Sequence, residues 1–115
     1  MNDGQLIAVI EKLPRRELWE ALAEESAELT QAALKMIRAC ERVENKTPVT
    51  KYEAQDNLLE EIADVELVLS CLGMGYFHKH KIEKIKAEKL NRWCKRLGIE
   101  GAEQENEKND QITRG

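Results

Sequence analysis

Two stretches of the chain repeat apolar residues every three or four positions, and each has a glutamate where an apolar residue belongs. The first runs Leu18, Leu22, Leu29, Ala33, Met36 and Cys40, with Glu25 inside it. The second runs Ala54, Leu58, Val65, Val68, Leu69 and Leu72, with Glu61 inside it. A period of 3.6 residues predicts two amphipathic helices, each burying one stripe. A carboxylate in such a stripe is costly unless something neutralises it.

The rest of the chain frames these two helices. Leu6, Val9, Ile10 and Leu13 predict a short helix over 3–13, and Pro14 then suits the first position of the next. The polar segment 41–50, with Pro48, reads as the connection. Thr50-Lys51-Tyr52-Glu53 is a capping-box pattern that opens the second long helix, and Gly73 and Gly75 close it. A last helix is expected from about His78 to Leu97, with Ile82, Lys86, Leu90, Trp93 and Leu97 along one face and Gly98 as its stop. No strand pattern or internal repeat is present. The expected architecture is all-α, one domain over residues 1–98 followed by a polar, mobile tail over 99–115. It is a helical hairpin with flanking helices, whose four-helix-bundle core is completed by a second copy. One hairpin has too little aliphatic mass to cover both stripes alone. A homodimer, or a homotetramer built from dimers, follows, with the acids near the interface.

Other features narrow the class. No apolar run approaches the roughly 20 residues of a membrane span, and the N-terminus lacks the basic and apolar regions of a secretory signal. Cys40, Cys71 and Cys94 are odd in number and far apart. They suit neither a disulfide framework nor a zinc site, so buried free thiols and a cytoplasmic setting are expected. Residues 1–78 hold 15 acids and 8 bases, a net −7, whereas residues 79–96 hold 8 bases and 2 acids, a net +6. Such an acidic body with one basic helix could bring metal and polyphosphate together, or could simply be well solvated. Nucleic acid is a poor match to the acidic remainder.

Seven pairs in the chain have the spacing Glu-x-x-Glu or Glu-x-x-Asp, so spacing alone selects nothing. Position relative to the stripes does. Glu25 faces with Leu18, Leu22 and Leu29, and Glu28 lies about 60° further round. Glu61 faces with Leu58 and Val65, and Asp64 is offset by the same amount in the same sense. Glu17, Glu20, Glu24 and Glu60 point outward. If the first long helix ran to Val43, its acids would sit about 25 Å from the turn against roughly 17 Å in the second, whereas an end near Cys40 brings the two within about 3 Å. Four converging carboxylates repel one another and suit a hard divalent cation such as Mg²⁺. Alternatively, Glu25 and Glu61 snorkel at the rim or pair with bases of the last helix.

Glu24-Glu25-Ser26-Ala27-Glu28-Leu29, followed by Leu59-Glu60-Glu61-Ile62-Ala63-Asp64-Val65, resembles the ExxE…ExxD signature of the MazG-type all-α nucleotide pyrophosphohydrolases. Glu88-Lys89-Leu90-Asn91-Arg92 is similar to that family's later basic motif, and the resemblance spans roughly residues 15–97. The spacer between the acid motifs is long for the pattern. The resemblance implies that Glu25, Glu28, Glu61 and Asp64 bind Mg²⁺, that Lys89 and Arg92 hold phosphates, and that Glu25 orients a water. The implied reaction splits a nucleoside triphosphate between its α- and β-phosphates. A non-catalytic helical interaction module keeping the same fold is the alternative.

Three weaker signals receive ordinary readings. His78-Lys79-His80 stands at a helix start, where residues two apart diverge, and is expected to be a solvent-exposed pair. A di-iron bundle would need Glu-x-x-His motifs, and there are none. Trp19 and Trp93 are expected to fill the core or a subunit contact rather than to stack on a base.

Overall fold

The computed structural model describes residues 1–41 and 49–101 and is all-α, with no strand among the described residues. Most of the connection expected over 41–50, and all but the start of the expected tail, lie outside the described residues. The described residues divide into two compact units, Met1–Phe77 and the part that begins at His78. The first unit contains α1 (Asp3–Lys12), α2 (Arg15–Cys40), α3 (Lys51–Leu72) and the single turn α4 (Met74–Phe77). The second contains α5 (Lys79–Leu97). None of these helices is long and apolar enough to cross a membrane.

Local chemistry sets the helix ends. The Asn2 side chain caps α1 by accepting from the Gln5 N–H at 3.1 Å. Pro14 stands one position earlier than expected, as the N-cap of α2 rather than its first residue. Its ψ of 143° is extended, while its carbonyl takes the N–H of Glu17 at 3.0 Å. The chain leaves α2 at Glu41, with ψ 141°, so this helix has the early end that the height of its acids requires. The capping box of α3 forms in both directions: Glu53 N–H donates to Thr50 Oγ1 at 3.1 Å, and Thr50 N–H donates to the Glu53 carboxylate at 3.3 Å. Gly73 ends α3 in the left-handed conformation, φ 70°. The turn α4 that follows has no period long enough to read in the sequence.

Within the first unit α2 and α3 form an antiparallel hairpin, with α1 and α4 packed on α3. Leu18 packs with Cys71 and Leu72, supported by Leu6, Leu22, Val68 and Met74. At the same end Arg15 donates to the Leu72 carbonyl at 3.2 Å, placing a cation where the α3 dipole ends. Two small residues, Ala32 and Ala54, are fully covered nearer the connection.

Several burial expectations need correction. Ala32 is buried and Ala33 exposed, because a 3.6-residue period carries the Leu18–Leu22–Leu29 row to 32 and leaves 33 about 100° away. Of the three thiols only Cys71 is buried; Cys94 is half-buried and Cys40, at the end of α2, is exposed. Neither tryptophan joins the core: Trp19 and Trp93 are 45% and 61% exposed. The Arg15 guanidinium lies over the Trp19 ring, 5.9 Å from its centroid.

In the second unit α5 has no buried residue. Gly98, φ 67°, closes it, with its N–H on the Lys95 carbonyl and the Ile99 N–H on the Cys94 carbonyl. Leu90, Trp93 and Leu97 are exposed, and only Ile82 of the expected apolar face is half-buried.

Candidate metal centre

Glu25 is held by α2 between Leu22 and Leu29, and Glu61 by α3 between Leu58 and Val65, so the packing that half-buries these apolar neighbours carries both carboxylates inward. Glu28 and Asp64 each follow three residues later. That spacing places them about 60° round the helix, at the mouth of the same groove. Glu25 and Glu61 are half-buried, while Glu28 and Asp64 are exposed. One carboxylate oxygen from each of the four lies within 4.8 Å of all the others. Oxygens around one cation at roughly 2.1–2.5 Å stand about 3 to 5 Å apart. The cluster therefore has the dimensions of one hard-cation site, and the four carboxylates could hold a metal ion.

The inner pair would be relieved by a cation or by protons. Glu25 Oε2 and Glu61 Oε2 are both buried without a hydrogen-bond partner. A buried carboxylate oxygen without a donor is costly, and a cation in the groove would remove that cost. Burial, first, pushes the Glu25 carboxyl up to about 7. The charges of Glu28 and Asp64, a hydrogen bond with Glu28, and the charge of Glu61 act in the same direction. Glu61 is raised as well, again first by burial, then by the Glu28 charge and a hydrogen bond with Glu28, then by Asp64 and Glu60. Glu28 thus acts on both inner acids, within 4.8 Å of each, a link that spacing along one helix does not reveal.

No base of the first unit pairs with these acids among the described residues. The ion pairs there are Arg16–Glu20 at 3.0 Å and Lys86–Glu83 at 3.3 Å, both within one helix and well exposed. Glu17, Glu20, Glu24 and Glu60 are exposed as expected, and so are His78 and His80. Lys89 and Arg92 are exposed on one flank of α5 with Arg96, and Arg92 Nε reaches the Glu88 carbonyl at 3.5 Å. They belong to the second unit, and the cluster itself is built from acids of the first alone.

No family model, characterised protein or solved structure matches the chain. The class defined by fold and site is therefore an all-α hairpin carrying a four-carboxylate centre able to hold a metal.

Proposed function

We propose that the protein is a Mg²⁺-dependent nucleoside triphosphate pyrophosphohydrolase of the MazG type, acting in nucleotide pool control or house-cleaning in the cytoplasm. The observation that carries this reading is the convergence of Glu25, Glu28, Glu61 and Asp64, with two orphaned oxygens at its centre. These four residues would hold Mg²⁺, which when bound neutralises phosphate oxygens and polarises the phosphorus they surround. Two exposed and two half-buried carboxylates fit that task, because the outer pair leaves the groove open to a phosphate chain. Glu25 is assigned to orienting the attacking water by accepting a hydrogen bond from it. Water adds to the α-phosphorus in line, the bond to the bridging oxygen breaks, and the products are a nucleoside monophosphate and pyrophosphate. Lys89 and Arg92, the positions similar to the family's basic motif, are assigned to holding the phosphates. The active form is a homo-oligomer, a dimer or a pair of dimers.

A second reading, a helical interaction module without catalysis, draws on the exposed Leu90, Trp93 and Leu97 of α5. One assay separates the two. Purified protein with Mg²⁺ and a panel of ordinary and modified nucleoside triphosphates should release pyrophosphate rather than orthophosphate from at least one, and EDTA should stop it. Silence across the panel would leave the interaction module.

A further inference from the structure

The interface of the hairpin repeats in sevens. Leu18, Leu22, Glu25 and Leu29 alternate steps of four and three along α2, as Ala54, Leu58, Glu61 and Val65 do along α3. In helices paired this way, residues seven apart return to the same place beside the interface. Glu28 and Asp64 hold such flanking places, and their carboxylates meet across the groove. One step of seven toward the connection sets Lys35 of α2 opposite Asn57 of α3. One step the other way sets Ala21 opposite Cys71. The two ends of the groove therefore differ in chemistry: a methyl and a buried thiol at one, an ammonium and an amide at the other. No other cation in the described parts of α2 and α3 falls in these two columns.

We propose that Lys35 and Asn57 form an anion subsite beside the acid centre, holding the phosphates that lie beyond the one at the metal. This assignment rests on the phosphate-cleaving reading of the centre and gives the substrate a direction: its pyrophosphate end points along the groove toward the connection. Geometry supports the reach. Seven residues span about 10 Å of helix, and side chains tilt toward the N-terminal end of their own helix. In α2 that tilt is toward Glu28, so the lysine stem carries its ammonium part of the way back to the acids. In α3 the tilt is toward the connection, so Asn57 leans to meet Lys35 as Asp64 leans to meet Glu28. Both side chains are half-buried. Yet among the described residues neither makes a side-chain hydrogen bond, and Lys35 makes no ion pair. A half-buried ammonium and amide left without partners in one groove match a phosphate, which accepts from both. The acids and this cation belong to one rigid hairpin, whereas Lys89 and Arg92 belong to the second unit.

Inorganic pyrophosphate, titrated calorimetrically into the full chain at saturating Mg²⁺, tests the subsite without turnover. Lys35→Met should weaken its binding at least tenfold, and Lys35→Arg, which keeps the charge, less than threefold. Mg²⁺ alone should bind Lys35→Met no more weakly than wild type, because a nearby cation has gone. Arg16→Met, which removes an exposed cation from the outer side of α2, should bind pyrophosphate as wild type does. A wild type that takes up no pyrophosphate overturns the proposal. So does a Lys35→Met chain that melts lower without metal but binds pyrophosphate normally, since its lysine then only offsets the acids. Were Lys35→Met to unfold, Asn57→Asp tests the same place: it sets a negative charge against the phosphates, and an unchanged affinity overturns the subsite. Failure of the catalytic reading looks different. Nucleotides would then go uncleaved while pyrophosphate still binds through Lys35, whereas failure of the subsite leaves any cleavage intact and pyrophosphate indifferent to Lys35.

Discussion

Glu25 and Glu61, on opposite helices of the hairpin, each bury one carboxylate oxygen that no donor reaches, and their carboxylates belong to a cluster whose oxygens lie within 4.8 Å of one another. Two like charges so placed oppose the packing that brings them together. The arrangement costs the metal-free chain stability that a cation held there would restore, and the following predictions test that exchange.

Glu61→Gln keeps the shape of the side chain, deletes one charge and gives its amide a donor for Glu28. It should melt no lower than wild type in EDTA, lose most of the rise in melting temperature that Mg²⁺ gives wild type, and lose activity. Glu60→Gln, on the exposed side of α3, should change neither property much. Thermal melts with and without Mg²⁺ check this. A Glu61→Gln chain that unfolds in EDTA, or that Mg²⁺ still stabilises normally, would relocate the metal site.

The raised carboxyls also make stability depend on pH in a direction that can be worked out. Glu25 titrates near 4.5 when unfolded and at about 7 when folded, so between those values the folded chain binds more protons. Metal-free stability from this group must therefore fall as pH rises from about 4.5 to about 7, and Glu61 acts in the same sense. Mg²⁺ competes with the same protons, so its stabilising effect should be small near pH 5 and full above pH 7. Denaturant titrations in EDTA and in Mg²⁺ across this range provide the measurement. A metal-free stability that climbs through the window would be the wrong sign.

Thr50 caps α3 in both directions of its capping box, and the helix it opens carries half of the acid centre. Thr50→Ala should cost about 1 kcal/mol in urea denaturation at fixed protein concentration. Because Glu61 is three turns from the cap, the Mg²⁺-induced shift should persist. Loss of that shift at unchanged stability would show coupling between cap and site.

The acid centre was readable because burial and chemistry conflict at single positions. Glu25 and Glu61 break apolar rows whose period is long enough to fix their direction, and the early end of α2 at Cys40 follows from bringing both pairs to one height. Cys40 and Ala33 show where periodicity loses its hold. Near a helix end, or one position off a row, an apolar side chain remains exposed without any signature in the sequence. Trp19 illustrates a different limit, since nothing in the sequence of α2 reports that Arg15 will lie over its ring. The direction of Lys89 and Arg92 along α5 is likewise legible, but periodicity within one helix carries no information about what that helix faces.

Gly73 links the hairpin to α4 under two separate constraints, and they can be measured apart. Its φ of 70° lies where a side chain is strained, and a Cβ there would stand 2.9 Å from Phe77 Cε2. Phe77 is 77% exposed and packs edge-to-face on Tyr76, with ring centroids 5.2 Å apart. Phe77→Ala alone should therefore cost little, about 0.5 kcal/mol. Gly73→Ala should cost on the order of 1–3 kcal/mol, from the left-handed backbone and the ring contact together. In the double variant the ring contact is gone, and the backbone part, about 1 kcal/mol, remains beside the small cost of Phe77→Ala. The two substitutions should thus be non-additive, with the double variant more stable than Gly73→Ala alone. Urea denaturation of the four chains closes the cycle. Additive costs would mean that the Phe77 ring moves aside without resistance and that only the left-handed backbone requires glycine at 73.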